Sequence, residues 1–214
     1  TWYDYAVANP SRRGRLPASQ RDARRRQVLA AALDELVENG PGGLTMAGVA
    51  RRADASKETL YAWFGNRDAL IGAVIEANAD ASVERVTQAL EAAPGGPESV
   101  RDVLETYARA LLALLTGDAS VALNRAAMGN PALASRLLHS GRHRAGPRVE
   151  RDLARLAAAG RLRVDDPADA YRVLFGLVVQ DTQIRVLLGE PPPSEAQMHT
   201  RARDAVDAFL RLYG

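Results

Sequence analysis

The sequence predicts an all-α chain, and three observations carry that prediction. Apolar residues recur at intervals of three and four in one segment after another, the spacing that lines one face of a helix. No alternating run of useful length for a β-strand interrupts them. Clusters of Gly, Pro, Asn and Asp stand where these segments should stop, and Ser, Thr, Asn or Asp where the next should start. About nine helices are expected, in an N-terminal three-helix group and a larger C-terminal helical body.

Residues 1–20 open with Trp2, Tyr3 and Tyr5, turn Pro/Arg/Gly/Ser-rich and show no helical period, so they read as a basic arm. Arg12, Arg13 and Arg15 in it could reach a DNA backbone or minor groove, or belong to a flexible tail. A first helix runs from Gln20 to about Glu38 on Val28, Leu29, Ala32, Leu33, Leu36 and Val37, and Asn39-Gly40-Pro41 ends it. Thr45 caps a short second helix with Val49, Ala50 and Ala53 on one face. Asp54-Ala55 is the turn, since Asp tolerates left-handed backbone, and Ser56 caps a third helix. There Leu60 and Phe64 face the core, which leaves Lys57, Thr59, Tyr61 and Trp63 on the flanks and the exposed side. Gly65 stops it, and Asn66 caps the next helix, with Arg67 in its first turn.

That long helix carries Ile71, Val74, Ile75, Val83, Val86 and Leu90 as far as Pro94-Gly95-Gly96-Pro97. Others are expected from Glu98 to Leu115, in phase at Val103, Leu104, Tyr107, Leu111 and Leu115, and from about Ala119 to Met128. The stretch Pro131 to Ala159 should kink at Gly146-Pro147, because Pro removes a helical hydrogen bond. Asp166-Pro167 opens a helix to about Leu188, and Ser194 caps the last one.

Two short helices around a tight turn, followed by a third helix start, form the layout of a DNA-reading helix-turn-helix. The segment from Leu44 to Leu70 resembles the tetracycline-repressor (TetR) family of bacterial one-component regulators. Its signature is carried here by Thr45, Val49, Ala50, Ala53, Ser56, Thr59, Leu60, Tyr61, Phe64, Asn66, Arg67 and Leu70. Asp54 stands where that family usually has Gly, and Ala55 where it usually has an aliphatic residue. The resemblance implies a DNA-binding domain over 21–66 and a ligand-binding and dimerisation domain over 67–214. The GRLRVDDP loop and later FGLV run resemble one subgroup of the family's regulatory domains. The expected contacts with double-stranded operator DNA are Thr45, Ser56, Lys57, Thr59, Tyr61, Trp63 and Arg67. Thr45, Tyr61 and Arg67 would hold phosphates, and Lys57, helped by Ser56 and Thr59, would approach base edges.

Charge agrees with this. The net charge is only +2, but seven arginines face the single acid Asp22 between residues 11 and 30, just upstream of the motif, where phosphate contacts would sit. Of 28 basic residues one is a lysine, and it is Lys57. There is no Cys, hence no disulfide and no thiolate metal site, and no 18-residue apolar run or signal-peptide pattern. At 214 residues the chain is expected to be a whole, soluble cytoplasmic protein without a membrane partner.

Catalysis has no support: there is no nucleophile–base set, glycine-rich phosphate loop or H-E-x-x-H pattern. His139 and His143 have a metal-ligand spacing but no third ligand in sequence, so neither metal nor cofactor is expected. The surrounding Arg136, Arg142, Arg144, Arg148, Arg151 and Arg155 fit a solvated face or a hold on an anionic ligand.

A small-molecule effector of unknown identity is expected among Tyr107, Leu111, Met128, Phe175 and Val179, oriented by Asn124, Gln180 or Gln183. Tyr107, Tyr171 and Phe175 are too few for an aromatic cage around a cation, so a neutral or weakly polar ligand fits. A homodimer is expected from the last two long helices. Val173, Leu177, Ile184 and Leu188 would face inward, and Met198, Ala202, Val206, Phe209 and Tyr213 would form a second stripe for the partner. The expected function is a repressor released from a near-palindromic operator by its effector, with activator action as a variant. The alternative from another class is a helical receptor or interaction protein that keeps the motif as scaffold; Lys57, Tyr61 and Arg67 favour DNA.

Overall fold

The computed structural model describes residues 18–91 and 100–214. The arm up to Pro17, the break at Pro94 to Pro97 and the side chains of Val86 and Leu90 lie outside the described residues. Eleven helices form among those described: α1 (Ala18–Gly43), α2 (Met46–Arg52), α3 (Lys57–Phe64), α4 (Arg67–Glu91), α5 (Val100–Thr116), α6 (Asp118–Met128), α7 (Pro131–Ser140), α8 (Arg142–Ala158), α9 (Pro167–Val179), α10 (Thr182–Leu187) and α11 (Glu195–Tyr213). Gly40, at φ 68, breaks the regular part of α1 where the sequence places its end.

Two apolar cores organise these helices. The first joins Val28, Ala32 and Leu36 of α1 to Val49, Leu60 and Phe64 of the motif and to Leu70, Ile71, Val74 and Ile75 of α4. It also takes in Ala122, Leu123, Ala126 and Ala127 of α6 and Leu133 of α7, so the C-terminal body grips the first three helices directly. The second gathers α5, α8, α9 and α11 around Leu104, Tyr107, Leu153, Leu174, Val206 and Phe209. Each large apolar side chain buried in these cores contributes about 1.5–3 kcal/mol. Between them runs α4, 25 residues and so about 38 Å long. Its acids Glu76, Asp80 and Glu84, four apart, pair with Arg136 of α7 and with Arg144 and Arg148 of α8.

Several expectations change. Val37 is 39% exposed, because Glu35 is buried at the edge of the α1 stripe, paired with Arg52 of α2 at 3.2 Å. The 131–159 stretch breaks at Gly141, and Pro147 lies inside α8, which continues through it to Ala158 despite the lost N–H. The expected helix to Leu188 is two, parted at Gln180 and Asp181. The α11 stripe faces its own protomer: Ala202, Val206 and Phe209 are fully buried in the second core. Ile184 and Leu188, expected inward, are 54% and 83% exposed.

Candidate nucleic-acid interface

The motif is built from local hydrogen bonds. Gly48 N–H donates to Thr45 Oγ1 at 3.0 Å, capping α2. Beyond α2, Asp54 takes the left-handed conformation (φ 48), Ala55 N–H bonds Ala50 O at 2.9 Å and Asp54 N–H bonds Arg51 O at 3.3 Å. This pair of bonds is a Schellman ending. Thr59 N–H donates to Ser56 Oγ at 3.1 Å to start α3, and the Ser56 and Thr59 hydroxyls lie 3.0 Å apart. Gly65, at φ 78, ends α3, and Ala69 N–H donates to Asn66 Oδ1 at 2.9 Å to cap α4.

Leu60 and Phe64 anchor α3 in the first core, and the opposite face is open. Lys57 is exposed at the N-terminal tip of α3, Tyr61 on its flank is 52% exposed, and Ser56 and Thr45 are exposed at the caps of α3 and α2. Lys57 has no ion pair among the described residues, which leaves a flexible cation at the start of a helix whose N–H groups add positive potential.

Two other expected contacts stand differently. Trp63 is half-buried and packs against the first core, edge to face with Phe64 at 6.3 Å. Arg67 is half-buried: its Nε donates to Leu44 O at 3.0 Å and its Nη2 to Pro41 O, clamping α4 to the α1–α2 connection. The carbonyls left open beyond the Gly40 break attract it there.

The arginine block divides in the same way. Arg24 donates to Asp54 O, holding the motif turn, and Arg25 lies over the Phe64 ring at 5.2 Å. Arg21 and Arg26 are exposed without ion pairs among the described residues. So is Arg51 of α2, whereas Arg52 is paired with Glu35 and Glu38. Arg51 and Glu58 are the surface groups that sequence reasoning missed. Glu58 sits in the first turn of α3, where its own backbone N–H and the Ser56 hydroxyl hold its carboxyl below the ordinary range. An exposed charge beside the capping serine was the available signal.

The expected effector residues separate. Tyr107, Leu111 and Val179 are buried in the second core, with Phe175 packed against it. Asn124 is half-buried and turned onto its own helix, its Nδ2 donating to Ser120 O at 2.8 Å, and Gln183 is half-buried on α10. Met128 ends α6 at 64% exposure and so lines no enclosed site, because α6 gives its apolar face to α1. No group of three or more His, Asp or Glu that could hold a metal occurs among the described residues. No described helix is long and apolar enough to cross a membrane.

Comparison with known proteins agrees with this geometry. Residues 102–214 match the family described as AefR-like transcriptional repressor, C-terminal domain, and residues 28–74 that described as bacterial regulatory proteins, tetR family. A TetR transcriptional regulator from Agrobacterium tumefaciens is 39% identical, with TM-score 0.70 over 89% of this chain and 94% of its own. A TetR-family regulator from Mesorhizobium loti MAFF303099 has TM-score 0.84 over 93% of this chain and 100% of its own, at 24% identity a likeness of fold alone. The HTH-type transcriptional activator FasR of Mycolicibacterium smegmatis is 37% identical over 101 residues. That match spans 47% of this chain and 45% of FasR.

Proposed function

Because this chain belongs to the TetR family of bacterial transcriptional regulators, we propose that it is a cytoplasmic, dimeric repressor of a near-palindromic operator, released by a small-molecule effector. Members of the family bind DNA and small-molecule ligands, generally as dimers, and are not enzymes. Residues 21–66 are the DNA-reading domain in this reading, residues 1–20 a basic arm beside it, and residues 67–214 the effector and dimer domain.

The observation that carries the reading is the open face of α3. Lys57 and Tyr61 project from a helix capped at Ser56 and braced behind by Leu60, Trp63 and Phe64. Arg21, Arg26 and Arg51 supply unpaired charge for phosphates around it. Two such helices about 34 Å apart in a dimer would enter successive major grooves. The half-buried Val173 and Leu177 of α9, the exposed Ile184 and Leu188 at α10 and the exposed Leu212 of α11 are apolar groups available to a partner, since Phe209 is spent on the protomer's own core.

The likeness to an AefR-like repressor domain supports repression, and the partial match to FasR favours activation as the second reading. Selecting genomic fragments with the purified protein, then measuring transcription from a reporter carrying the selected site with and without the protein, separates them. Repression lowers output and activation raises it. Failure to prefer any fragment over random duplex overturns both.

A further inference from the structure

Most arginines of α7 and α8 are paired: Arg136 with Glu76, Arg144 with Asp80, Arg148 with Glu84 and Arg155 with Asp152. Arg142, the first residue of α8, has no ion pair and no hydrogen bond among the described residues. Its guanidinium lies over the Phe175 ring instead, 4.3 Å from the centroid. A guanidinium held flat on an aromatic face keeps its N–H donors free at the edge.

Two tyrosines of the second core belong to this region, Tyr171 packed edge to face with Phe175 and Tyr107 within reach of the Arg142 charge. Tyr107 of α5 is 1% exposed and Tyr171 of α9 is 6% exposed, and neither hydroxyl has a hydrogen-bond partner among the described residues. No wholly buried side-chain oxygen described lacks a partner, so the sliver of surface left to each tyrosine includes its hydroxyl. Each hydroxyl therefore reaches solvent and, like the exposed Arg142, has no partner among the described residues to give up when a ligand arrives. The Tyr171 and Phe175 rings are 6.1 Å apart, and Gly146 of α8 leaves them room, for a Cβ there would lie 3.2 Å from Tyr171. Gly141 gives α8 no side-chain cap, so the free N–H groups of its first turn add positive potential at the same place. Burial pushes both hydroxyls above the ordinary tyrosine range while the Arg142 charge pulls each down, so both remain protonated donors at neutral pH. Glu150, whose Oε1 would lie 3.7 Å from a Cβ at Gly146, is felt at Tyr171, and it makes no ion pair with Arg142 among the described residues.

We propose that Arg142, with the hydroxyls of Tyr107 and Tyr171, is the receptor for the carboxylate of an effector whose remaining body is apolar. The guanidinium offers paired donors to the two carboxylate oxygens, the hydroxyls complete their hydrogen bonds, and Phe175 with the second core receives the apolar part. This names the effector's chemical class, an organic anion rather than the neutral ligand the sequence suggests, and it rests on reading the C-terminal body as an effector receptor.

The test is calorimetry on the full chain with two matched pairs, decanoate against decan-1-ol and 4-phenylbutyrate against 4-phenylbutanamide. At least one acid should bind tenfold or more tighter than its neutral partner. Arg142→Gln should abolish that preference while leaving affinity for the neutral partner unchanged, which a merely structural role would not do. Tyr107→Phe should weaken the acid about threefold, and Glu150→Gln should tighten it by removing a nearby negative charge. Equal binding of acid and neutral partner, binding of neither, or a preference that survives Arg142→Gln overturns the proposal. The readout needs no DNA. An acid that binds through Arg142 without releasing operator fragments leaves this site standing and removes the effector part of the proposed function.

Discussion

Among the described residues two reversals place a non-glycine residue at positive φ, Asp54 between α2 and α3 and Gln180 between α9 and α10, and they are held in opposite ways. At Asp54 the hydrogen bonds come from residues within five positions, and Ser56 starts the next helix two residues later. Arg24 adds one bond to Asp54 O from outside. At Gln180 (φ 42, ψ −126) and Asp181 (φ −94, ψ −1) the dihedrals are those of a type II′ turn, whose first central position normally belongs to Gly. Asp181 makes no side-chain cap. The open carbonyls of α9 are taken from α11, where Arg201 donates to Leu177 O at 2.8 Å and Val178 O at 3.1 Å. At the far end of α10, Arg125 of α6 does the same to Val186 O and Leu187 O. The DNA-reading turn is thus shaped by its own sequence, and the turn in the regulatory body by contacts from distant helices. A structure held from a distance can be shifted from a distance, which suits a body that must respond to a ligand.

The sharpest way to break this contrast is to attack the cores. Phe209→Asp places a charge where the side chain is fully buried and should cost about 4 kcal/mol or more in guanidinium unfolding. Leu212→Glu, at a 65% exposed position, should leave the monomer fold intact and act only on self-association seen by sedimentation. A Phe209→Asp chain that melts like its parent but sediments as a monomer would return that residue to an interface.

Next in size is the pair of arginine clamps. Arg201→Ala strips two carbonyls of a charged donor at a strained turn and should destabilise by about 2–3 kcal/mol. Arg24→Ala leaves the Schellman bonds in place and should cost about 1 kcal/mol or less. Equal losses would erase the distinction. Smaller still, Gln180→Gly should gain about 1 kcal/mol by relieving strain, while Asp54→Gly stays within about 0.5 kcal/mol.

The smallest effect is the dependence on acid. Glu38, Glu190 and Asp207 are held below their ordinary values, each chiefly by the hydrogen bond from its arginine, Arg52, Arg185 and Arg101. The unfolded chain therefore binds more protons than the native one at acidic pH. Their stabilisation is present at neutral pH and declines as pH falls below about 4.5, the ordinary glutamate value. All three pairs are exposed, so the decline should shrink in high salt. Unfolding midpoints from pH 7 to 3 at two salt concentrations check it.

What could be read in advance follows the same division. Thr45, Asp54, Ser56, Gly65 and Asn66 act within four or five residues, and the sequence places each of them correctly. Helical spacing puts Trp63 among the flanks and exposed side of α3 and Arg67 in the first turn of α4, but it gives a direction and not a neighbour. Only the packed structure shows Leu44 O and Pro41 O waiting for Arg67. The α9–α10 break escaped because Gln180 is not a turn residue by type and its clamp lies on another helix. The α11 stripe was legible as apolar, but its direction depended on where α5 and α9 lie.

The central claim is that the open face of α3 reads DNA sequence, and the most direct measurement is fluorescence anisotropy of Lys57→Ala on a selected operator and on a random duplex at matched salt. The account predicts a loss of about 1–3 kcal/mol on the operator and a much smaller one on the random duplex, so that the ratio between them narrows. Unchanged affinity for the operator, or an equal loss on both duplexes, would contradict it.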